Sequence, residues 1–238
     1  MSEPRTAAII VAGGTGERLG RPGGKQLAPV LGRPVVGWTL LAFDAAETVD
    51  LIVLVVHPDR VGEYRDLAVT PLSLTAPITL AGGGPTRQAS VANGLAQVPE
   101  SVETVLVHDG ARPLVTPQLI LDSVAMLGRR DDLDGVVVGH PSVDTLKVVE
   151  ADIVAETPDR SRIWAVQTPQ VFRAAALRRA YAAATAEGFL GTDDASLVER
   201  DGGRVGMFEG PRDNIKVTVA EDLVFVEAAL KYRGGEGR

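Results

Sequence analysis

The sequence predicts an α/β fold, a three-layer αβα sandwich built on a mostly parallel sheet. Two observations support this. Short apolar segments alternate with helix-like segments along the 238 residues, and most of the apolar segments are rich in β-branched residues. Strands that alternate with helices imply right-handed βαβ units with helices on both faces of the sheet. The predicted strands span residues 7–11, 51–56, 78–81, 104–108 and 135–138.

Helix signals lie between and after these strands. Pro34 suits the first position of a helix, because its missing N–H has no intrahelical partner there. Thr116 precedes Pro117 as an N-cap, and the segment 218–221 (Thr-Val-Ala-Glu) has a capping-box pattern. The predicted helices span residues 35–46, 87–96, 118–127 and 222–230.

The alternation breaks between about residues 140 and 168. Within that stretch, 144–149 and 153–156 resemble two strands of a hairpin that is too long for a simple connection. An exposed hairpin has unpaired edges and usually needs a partner. We therefore predict a single domain over residues 1–238, with an arm insertion at about 140–168 used for dimerisation. The alternative is a hairpin folded against its own domain.

Composition excludes several classes of function. The net charge of −7, from 24 Lys and Arg against 31 Asp and Glu, disfavours broad binding to nucleic acid. The chain has no cysteine and only three widely separated histidines, so a zinc site is not expected. No apolar run is long enough to cross a membrane. We expect a cytoplasmic protein that binds neither nucleic acid nor membrane.

A glycine-rich loop follows the first predicted strand. Ala12-Gly13-Gly14 begins it, and Arg18 and Lys25 add positive charge. Glycines let backbone N–H groups approach phosphate oxygens, and the two cations favour a polyphosphate ligand. The spacing fits neither a Walker A loop nor a dinucleotide-binding loop, because Leu19 stands where each requires a small residue.

Six further motifs follow this loop in order. They are Gly-Pro-Thr-Arg-Gln-Ala-Ser-Val at 84–91, Val-Leu-Val-His-Asp-Gly-Ala-Arg-Pro at 105–113, Asp-Thr-Leu-Lys at 144–147, Trp-Ala-Val-Gln-Thr-Pro-Gln at 164–170, Thr-Asp-Asp-Ala-Ser at 192–196 and Asn-Ile-Lys-Val-Thr at 214–218. Taken together with the glycine-rich loop, these motifs resemble the 2-C-methyl-D-erythritol 4-phosphate cytidylyltransferase family of the sugar-phosphate nucleotidyltransferase superfamily. The resemblance extends from about residue 7 to 230.

The resemblance implies a Rossmann-like sheet, an arm-mediated homodimer, and transfer of CMP from CTP to a sugar-alcohol phosphate with release of pyrophosphate. It assigns transition-state stabilisation to Arg18 and Lys25. A Mg²⁺ ion or another divalent cation is expected on the CTP phosphates, with Asp109 as a magnesium or ribose partner. An ion pair between Asp109 and Arg112 is the structural alternative. The implied nucleotide-binding residues are Ala12, Gly13, Gly14, Gly83, Gly84, Ser90, Asp109 and Gly110.

The acceptor phosphate needs its own polar and cationic groups. By match to the family these are Arg112, Thr145, Arg160, Thr168 and Lys216. Arg162 is an alternative to Arg160, and Pro85 departs from the acidic residue that is frequent in the family. The 192–196 segment is explained by helix capping or by a substrate role. Two other functions stay open, namely a ribitol 5-phosphate cytidylyltransferase and a non-catalytic nucleotide-binding regulator.

Overall fold

The computed structural model describes residues 4–14 and 24–235, and its centre is a seven-stranded sheet. Two short antiparallel pairs lie outside that sheet. The strands in chain order are β1 (Thr6–Val11), β2 (Pro29–Val30), β3 (Arg33–Pro34), β4 (Leu51–Val56), β5 (Ile78–Gly82), β6 (Thr104–Asp109), β7 (Gly135–Pro141), β8 (Val148–Glu150), β9 (Ile153–Glu156), β10 (Trp164–Arg173) and β11 (Val205–Glu209).

The strand order of the large sheet is β11-β7-β10-β6-β1-β4-β5. Every neighbouring pair is parallel except those of β10, which is antiparallel to both β6 and β7. The predicted mostly parallel sheet is therefore confirmed. From β1 the chain first builds outward through β4 and β5 and then returns to place β6 on the other side of β1. This reversal opens a crevice at the carboxyl ends of β1 and β6, where α/β folds bind ligands.

Helices cover both faces of the sheet, as the sandwich prediction requires. They are α1 (Val35–Asp44), α2 (Val61–Tyr64), α3 (Arg87–Leu95), α4 (Pro117–Gly128), α5 (Ala174–Glu187), α6 (Asp194–Arg200) and α7 (Ala220–Gly235). Successive side chains of a strand point to opposite faces, so Ile10 packs in the core layer of α1 and α4 while Ile9 packs with α3 and α5.

One glycine sets how closely α3 approaches the sheet. A Cβ atom at Gly94 would lie 2.7 Å from Ile9 Cγ2 and 2.8 Å from Val55 Cγ2. Both contacts are shorter than atoms of a packed core allow. Glycine at this position therefore lets α3 pack against β1 and β4, which places the amino end of α3 beside the crevice.

Several predicted boundaries need correction. Pro34 is the N-cap of α1, with an extended ψ of 149°, rather than its first residue. The capping carboxylate of α7 belongs to Asp222, which accepts hydrogen bonds from Thr218 and Val219, and not to Glu221. The strands β10 and β11 had no prediction. β10 contains buried polar residues instead of a continuous apolar run, so its sequence does not predict a strand.

The predicted hairpin is present, with β8 shorter than the strand expected over 144–149. β8 and β9 pair through a two-residue turn in which Ala151 and Asp152 have φ of 47° and 64°. Every residue of both strands is exposed, and the pair lies outside the large sheet. No helix in the described part of the chain is long and apolar enough to cross a membrane.

Candidate active site

A cavity of about 410 Å³ opens at the crevice between the carboxyl ends of β1 and β6. The glycine-rich loop, the start of α3, the end of β6 and the Asn-Ile-Lys segment meet there, although they are far apart in sequence. The described residues that line the cavity are Val11, Gly13, Gly14, Lys25, Gln26, His57, Gly84, Pro85, Thr86, Arg87, Ser90, Asp109, Ala111 and Lys216.

Asp109 lies at the end of β6 and is the charge centre of this cavity. Its Oδ2 atom is 2.8 Å from Lys216 Nζ and 3.6 Å from Arg112 Nε, and its Oδ1 atom is 3.3 Å from Arg87 Nε. The ion pair with Arg112 that was the structural alternative is therefore present, together with two further cations. Three cations around one carboxylate leave positive charge available to an anionic ligand.

The protonation state of Asp109 follows from these neighbours. Burial alone would raise the pKa of the carboxyl, since only 11% of the side chain is exposed. Lys216 and Arg87, followed by Arg112, outweigh burial and hold the pKa of Asp109 well below its usual range. The carboxylate is therefore ionised at neutral pH.

Lys216 is held at the cavity by a buried polar network. The Asn214 side chain donates to the Thr168 carbonyl at 2.9 Å, and Arg112 donates to the Asn214 carbonyl at 2.8 Å. The Val217 N–H donates to the Ala111 carbonyl at 2.8 Å. These contacts join the segment around Lys216 to β10 and to the loop after β6, which fixes where its ammonium group enters the cavity.

A second chain of hydrogen bonds fixes the backbone of Asp109. The Asp109 N–H donates to Thr168 Oγ1 at 3.1 Å, and that hydroxyl lies 3.0 Å from His108 Nδ1. His108 Nε2 lies 3.3 Å from the Arg112 carbonyl. Burial, the largest cause, lowers the pKa of His108 to about 3, so the ring is neutral. A neutral ring that donates through Nε2 and accepts through Nδ1 satisfies all three contacts.

Arg87 connects Asp109 with a second buried carboxylate. Its Nη2 donates to Asp194 Oδ2 at 2.8 Å, and Tyr181 donates its hydroxyl to Asp194 Oδ1 at 2.5 Å. Burial would lower the pKa of Arg87, but Asp194 and then Asp109 outweigh it and raise that pKa.

Capping of α6 is provided by Asp193, which accepts from the Ser196 N–H at 2.9 Å. The capping interpretation of the 192–196 segment is thus confirmed for Asp193.

Ser90 and the glycines before α3 form one packed turn. Ser90 Oγ accepts from the Gly84 N–H at 3.1 Å and donates to the Thr86 carbonyl at 2.9 Å. A Cβ at Gly83 would lie 3.0 Å from Ser90 Oγ, and one at Gly84 would lie 2.6 Å from Ala89 Cβ. Because Gly83 and Gly84 have no side chains, the turn can pack closely against α3 beside the cavity, and the hydrogen bonds of Ser90 hold it there.

The structure brings seven of the sequence-predicted residues to the cavity wall: Gly13, Gly14, Lys25, Gly84, Ser90, Asp109 and Lys216. Ala12, Gly83, Gly110, Arg112 and Thr168 lie next to that wall in the strand ends and networks described above. Arg18 lies outside the described residues. Half-buried Lys25 enters the cavity from the turn before β2. Burial would raise the pKa of Asp222, but hydrogen bonds from Val219 and Thr218 outweigh it and lower that pKa, with a smaller contribution from Lys25.

Two predicted residues lie on the arm instead. Thr145 and Arg160 are exposed and are not among the described residues that line the cavity. Arg160 donates to the Val143 carbonyl at 2.9 Å, which ties the short 3₁₀ turn Arg160–Arg162 to the start of the arm. Arg162 lies on the same exposed turn.

Sequence reasoning missed several residues at this site. Gln26 and His57 line the cavity, and the pairing of Arg87 with Asp194 and Tyr181 had no prediction. Arg87 and Asp194 stand in quoted motifs, but 107 positions separate them and nothing in the sequence pairs them. The isolated position of Tyr181 in an alanine-rich helix gave no signal at all.

A divalent cation fits this cavity through one protein carboxylate. Asp109 is the sole acidic residue among the described residues lining it, and residues 4–14 and 24–235 contain no group of three or more His, Cys, Asp or Glu placed to hold a metal. Magnesium commonly keeps water and phosphate ligands beside one or two carboxylates. Ionised Asp109 is compatible with that pattern.

Comparison with known proteins identifies the family. A family model described as 2-C-methyl-D-erythritol 4-phosphate cytidylyltransferase matches residues 6–232. Relatives of that name from Nostoc punctiforme and Geotalea uraniireducens are 43% and 42% identical, and the alignments cover 95% and 98% of this chain and 98% and 99% of theirs. The structure of 4-diphosphocytidyl-2C-methyl-D-erythritol synthase from Anaerococcus prevotii is similar, with a TM-score of 0.83, 31% identity, and coverage of 95% of this chain and 98% of that one. The chain therefore belongs to the 2-C-methyl-D-erythritol 4-phosphate cytidylyltransferase family.

Proposed function

We propose that the cavity at the ends of β1 and β6 is where this chain transfers CMP from CTP to 2-C-methyl-D-erythritol 4-phosphate, a step of isoprenoid biosynthesis. The observation that carries the proposal is the convergence of Lys25, Arg87 and Lys216 on one cavity around ionised Asp109. A cavity with this charge suits two anionic substrates. No observation favours ribitol 5-phosphate as the acceptor or a non-catalytic role.

The reaction joins a phosphate oxygen of the acceptor to the α-phosphorus of CTP and breaks the bond from that phosphorus to pyrophosphate. Negative charge builds on the crowded phosphorus, so cations already in position can lower the barrier without a covalent intermediate. We assign this role to Lys25 on the cavity wall and, by family match, to Arg18. Side-chain cations suit the task because neither needs to gain or lose a proton.

The nucleotide is assigned to the glycine-rich side of the cavity. Gly13 and Gly14 follow β1, and Gly84 and Ser90, in the turn before α3, line the same cavity. Backbone N–H groups there can donate to phosphate or base oxygens, because no Cβ blocks the approach. Pro85 has no N–H, so it can contact a nucleotide only through its carbonyl. Ala12, Gly83 and Gly110 complete the proposed surface by family match.

The acceptor phosphate is assigned to the opposite side, where Lys216 enters the cavity. In the described structure its ammonium pairs with Asp109 at 2.8 Å, and an incoming phosphate offers it a second anionic partner. Arg112 Nε approaches the same Oδ2 atom of that carboxylate, at 3.6 Å. Thr168 supports both through the Asp109 backbone and the Asn214 side chain.

A divalent cation, which we propose is Mg²⁺, would be held by the CTP phosphates with Asp109 as the protein ligand. Its chemistry would be to neutralise phosphate charge and orient the leaving pyrophosphate. The cysteine-free sequence suits a reducing compartment, and we assign the reaction to the cytoplasm.

The arm is proposed to complete the site of a second copy of the chain. Its apolar side chains are largely exposed, with Ile153 72% and Val154 53% exposed, and a second molecule could cover them. Thr145 and Arg160 lie on this arm and away from the cavity of their own subunit. A symmetric homodimer would bury apolar side chains of the arm and bring Thr145 and Arg160 to the partner's acceptor phosphate.

Pyrophosphate release tests the proposed activity. Purified protein is assayed with Mg²⁺, each nucleoside triphosphate in turn, and either 2-C-methyl-D-erythritol 4-phosphate or ribitol 5-phosphate. We expect release only with CTP and the methylerythritol phosphate. Release with ribitol phosphate alone would identify the other acceptor, and release with no pair would support the regulator.

A further inference from the structure

Arg87 is assigned no step and no substrate contact in the proposed reaction, yet among the described residues it is the one whose side chain contacts both Asp109 and Asp194, the buried carboxylates near the cavity. Its Nε faces Asp109 at 3.3 Å and its Nη2 faces Asp194 at 2.8 Å. A guanidinium carries donors in a fixed planar fork, so binding two carboxylates at once fixes the orientation of each. Lysine, with a single ammonium group, has no such geometry.

The far end of this contact is anchored in the core between α5 and α6. Asp194 is 1% exposed, and its second oxygen accepts the Tyr181 hydroxyl at 2.5 Å. Gln170 strengthens the anchor, because it accepts from the Ala195 N–H at 3.1 Å and donates to Asp193 at 2.7 Å. Asp194 therefore cannot follow Arg87 if the guanidinium moves, whereas Asp109 stands at the open cavity.

We propose that Arg87 is a positioning residue for Asp109, held in place by Asp194 and Tyr181, so that two helices remote from the substrates set the geometry of the cavity's carboxylate. The kinetic tests of this inference rest on the proposed function, because they measure turnover. Arg112 and Lys216 both approach Oδ2, so Arg87 is the cation that restrains Oδ1. Without it, the carboxylate can rotate toward the two cations on the opposite side.

Asp194→Asn tests this, because the amide keeps the shape of the side chain and removes its charge. Asp201→Asn is the matched control, since Asp201 pairs with Arg179 at 2.8 Å across the same two helices, away from the cavity. We expect Asp194→Asn to lower kcat about 10- to 100-fold while KM for CTP changes less than about threefold, and the control to match the unmodified enzyme. Arg87→Lys should resemble Asp194→Asn.

Double variants show whether the effect passes through Asp109. If Arg87 acts through that carboxylate, adding Asp194→Asn to Asp109→Asn should lower kcat no further. If the fold-losses of kcat in the two single variants multiply in the double variant, the proposal is overturned. It is also overturned if the unmodified enzyme is active and Asp194→Asn leaves kcat unchanged. Such a result would leave the cytidylyltransferase assignment intact.

Crystal structures of the two single variants provide a readout that does not depend on turnover. We expect Arg87 to have left Asp109 in Asp194→Asn and to keep both carboxylate contacts in Asp201→Asn. An Arg87 guanidinium still within hydrogen-bonding distance of Asp109 in the Asp194→Asn protein would overturn the proposal. An unmodified enzyme that releases no pyrophosphate would contradict the proposed function, and the crystallographic comparison would still decide the role of Arg87.

Discussion

The cavity edge and the arm differ in which side chains they bury, because polar groups are buried at the cavity and apolar groups are exposed on the arm. Around the cavity, the charged and polar side chains of Asp109, Thr168 and Asn214 are buried and make contacts within the same subunit. On the arm, apolar side chains such as Ile153 and Val149 are exposed, and the β8–β9 pair lies outside the large sheet. The first region is organised before any ligand arrives, while the second offers a surface whose burial needs another molecule.

This difference separates two ways of placing a charged side chain, one in a buried network and one on an exposed hairpin. A buried network holds groups in place because each lost contact leaves a charge or a hydrogen-bonding group without a partner. Arg160, on the exposed arm, donates a hydrogen bond to the Val143 carbonyl, and its proposed contact with an acceptor phosphate would require the arm to dock on a second copy of the chain. Substitutions in each of the two regions test this difference.

The largest effect is expected from Lys25→Ala at the cavity. Loss of a cation beside the reacting phosphorus should lower kcat by roughly 10²–10⁴ with little change in the melting temperature. The measurement is steady-state pyrophosphate release together with thermal unfolding. Lys231→Ala is the control, because Lys231 is exposed and pairs only with Glu227 on α7 among the contacts described. Near-normal turnover of the Lys25 variant would remove that residue from the mechanism.

Arg160→Ala should lower kcat/KM for the acceptor phosphate about 10- to 100-fold, since a hydrogen bond to a charged group is lost. Subunit mixing then tests whether Arg160 serves the partner. A mixed dimer of Lys25→Ala and Arg160→Ala subunits has one site with both cations and one with neither. Freely exchanged subunits should recover about a quarter of normal activity. No recovery above the separate variants would place Arg160 in its own subunit's site.

Thr168→Val probes the stability of the buried network. The variant keeps the side-chain volume but removes the hydroxyl that accepts from the Asp109 N–H and lies beside His108 Nδ1. Leaving those buried groups without partners should lower the free energy of unfolding by about 2 kcal/mol or more. Urea denaturation measures it. Thr185→Val, which loses only a hydrogen bond to the Tyr181 carbonyl within α5, should change it by less than about 0.5 kcal/mol.

The smallest effect on subunit stability is expected from Ile153→Asp on the arm. Because this side chain is 72% exposed, the unfolding free energy of the isolated subunit should change by less than about 0.5 kcal/mol. Its effect should appear in assembly, as a monomer by light scattering at a concentration where the unmodified protein is a dimer. Leu190→Asp, also exposed at 68%, is the control that should leave assembly unchanged. A dimeric Ile153 variant would contradict docking through this face.

Elements with local signals could be predicted from the amino-acid sequence alone. Apolar runs marked β1, β4 and β6, Thr116 and Pro117 marked the start of α4, and the glycines and Lys25 marked one wall of the cavity. These signals work because periodicity, caps and glycine-rich turns act over a few neighbouring residues. The order of the motifs indicated the family before any contact was known.

Only the tertiary structure decided which distant groups meet. β10 runs antiparallel between β6 and β7, and its buried Gln and Thr residues resemble no apolar strand, yet it brings Thr168 to Asp109. Arg87 and Asp194 stand in separate motifs, and their pairing depends on how α3 and α6 pack on one face of the sheet. Long-range pairing of charges is set by packing and burial, which leave no periodic trace along the chain.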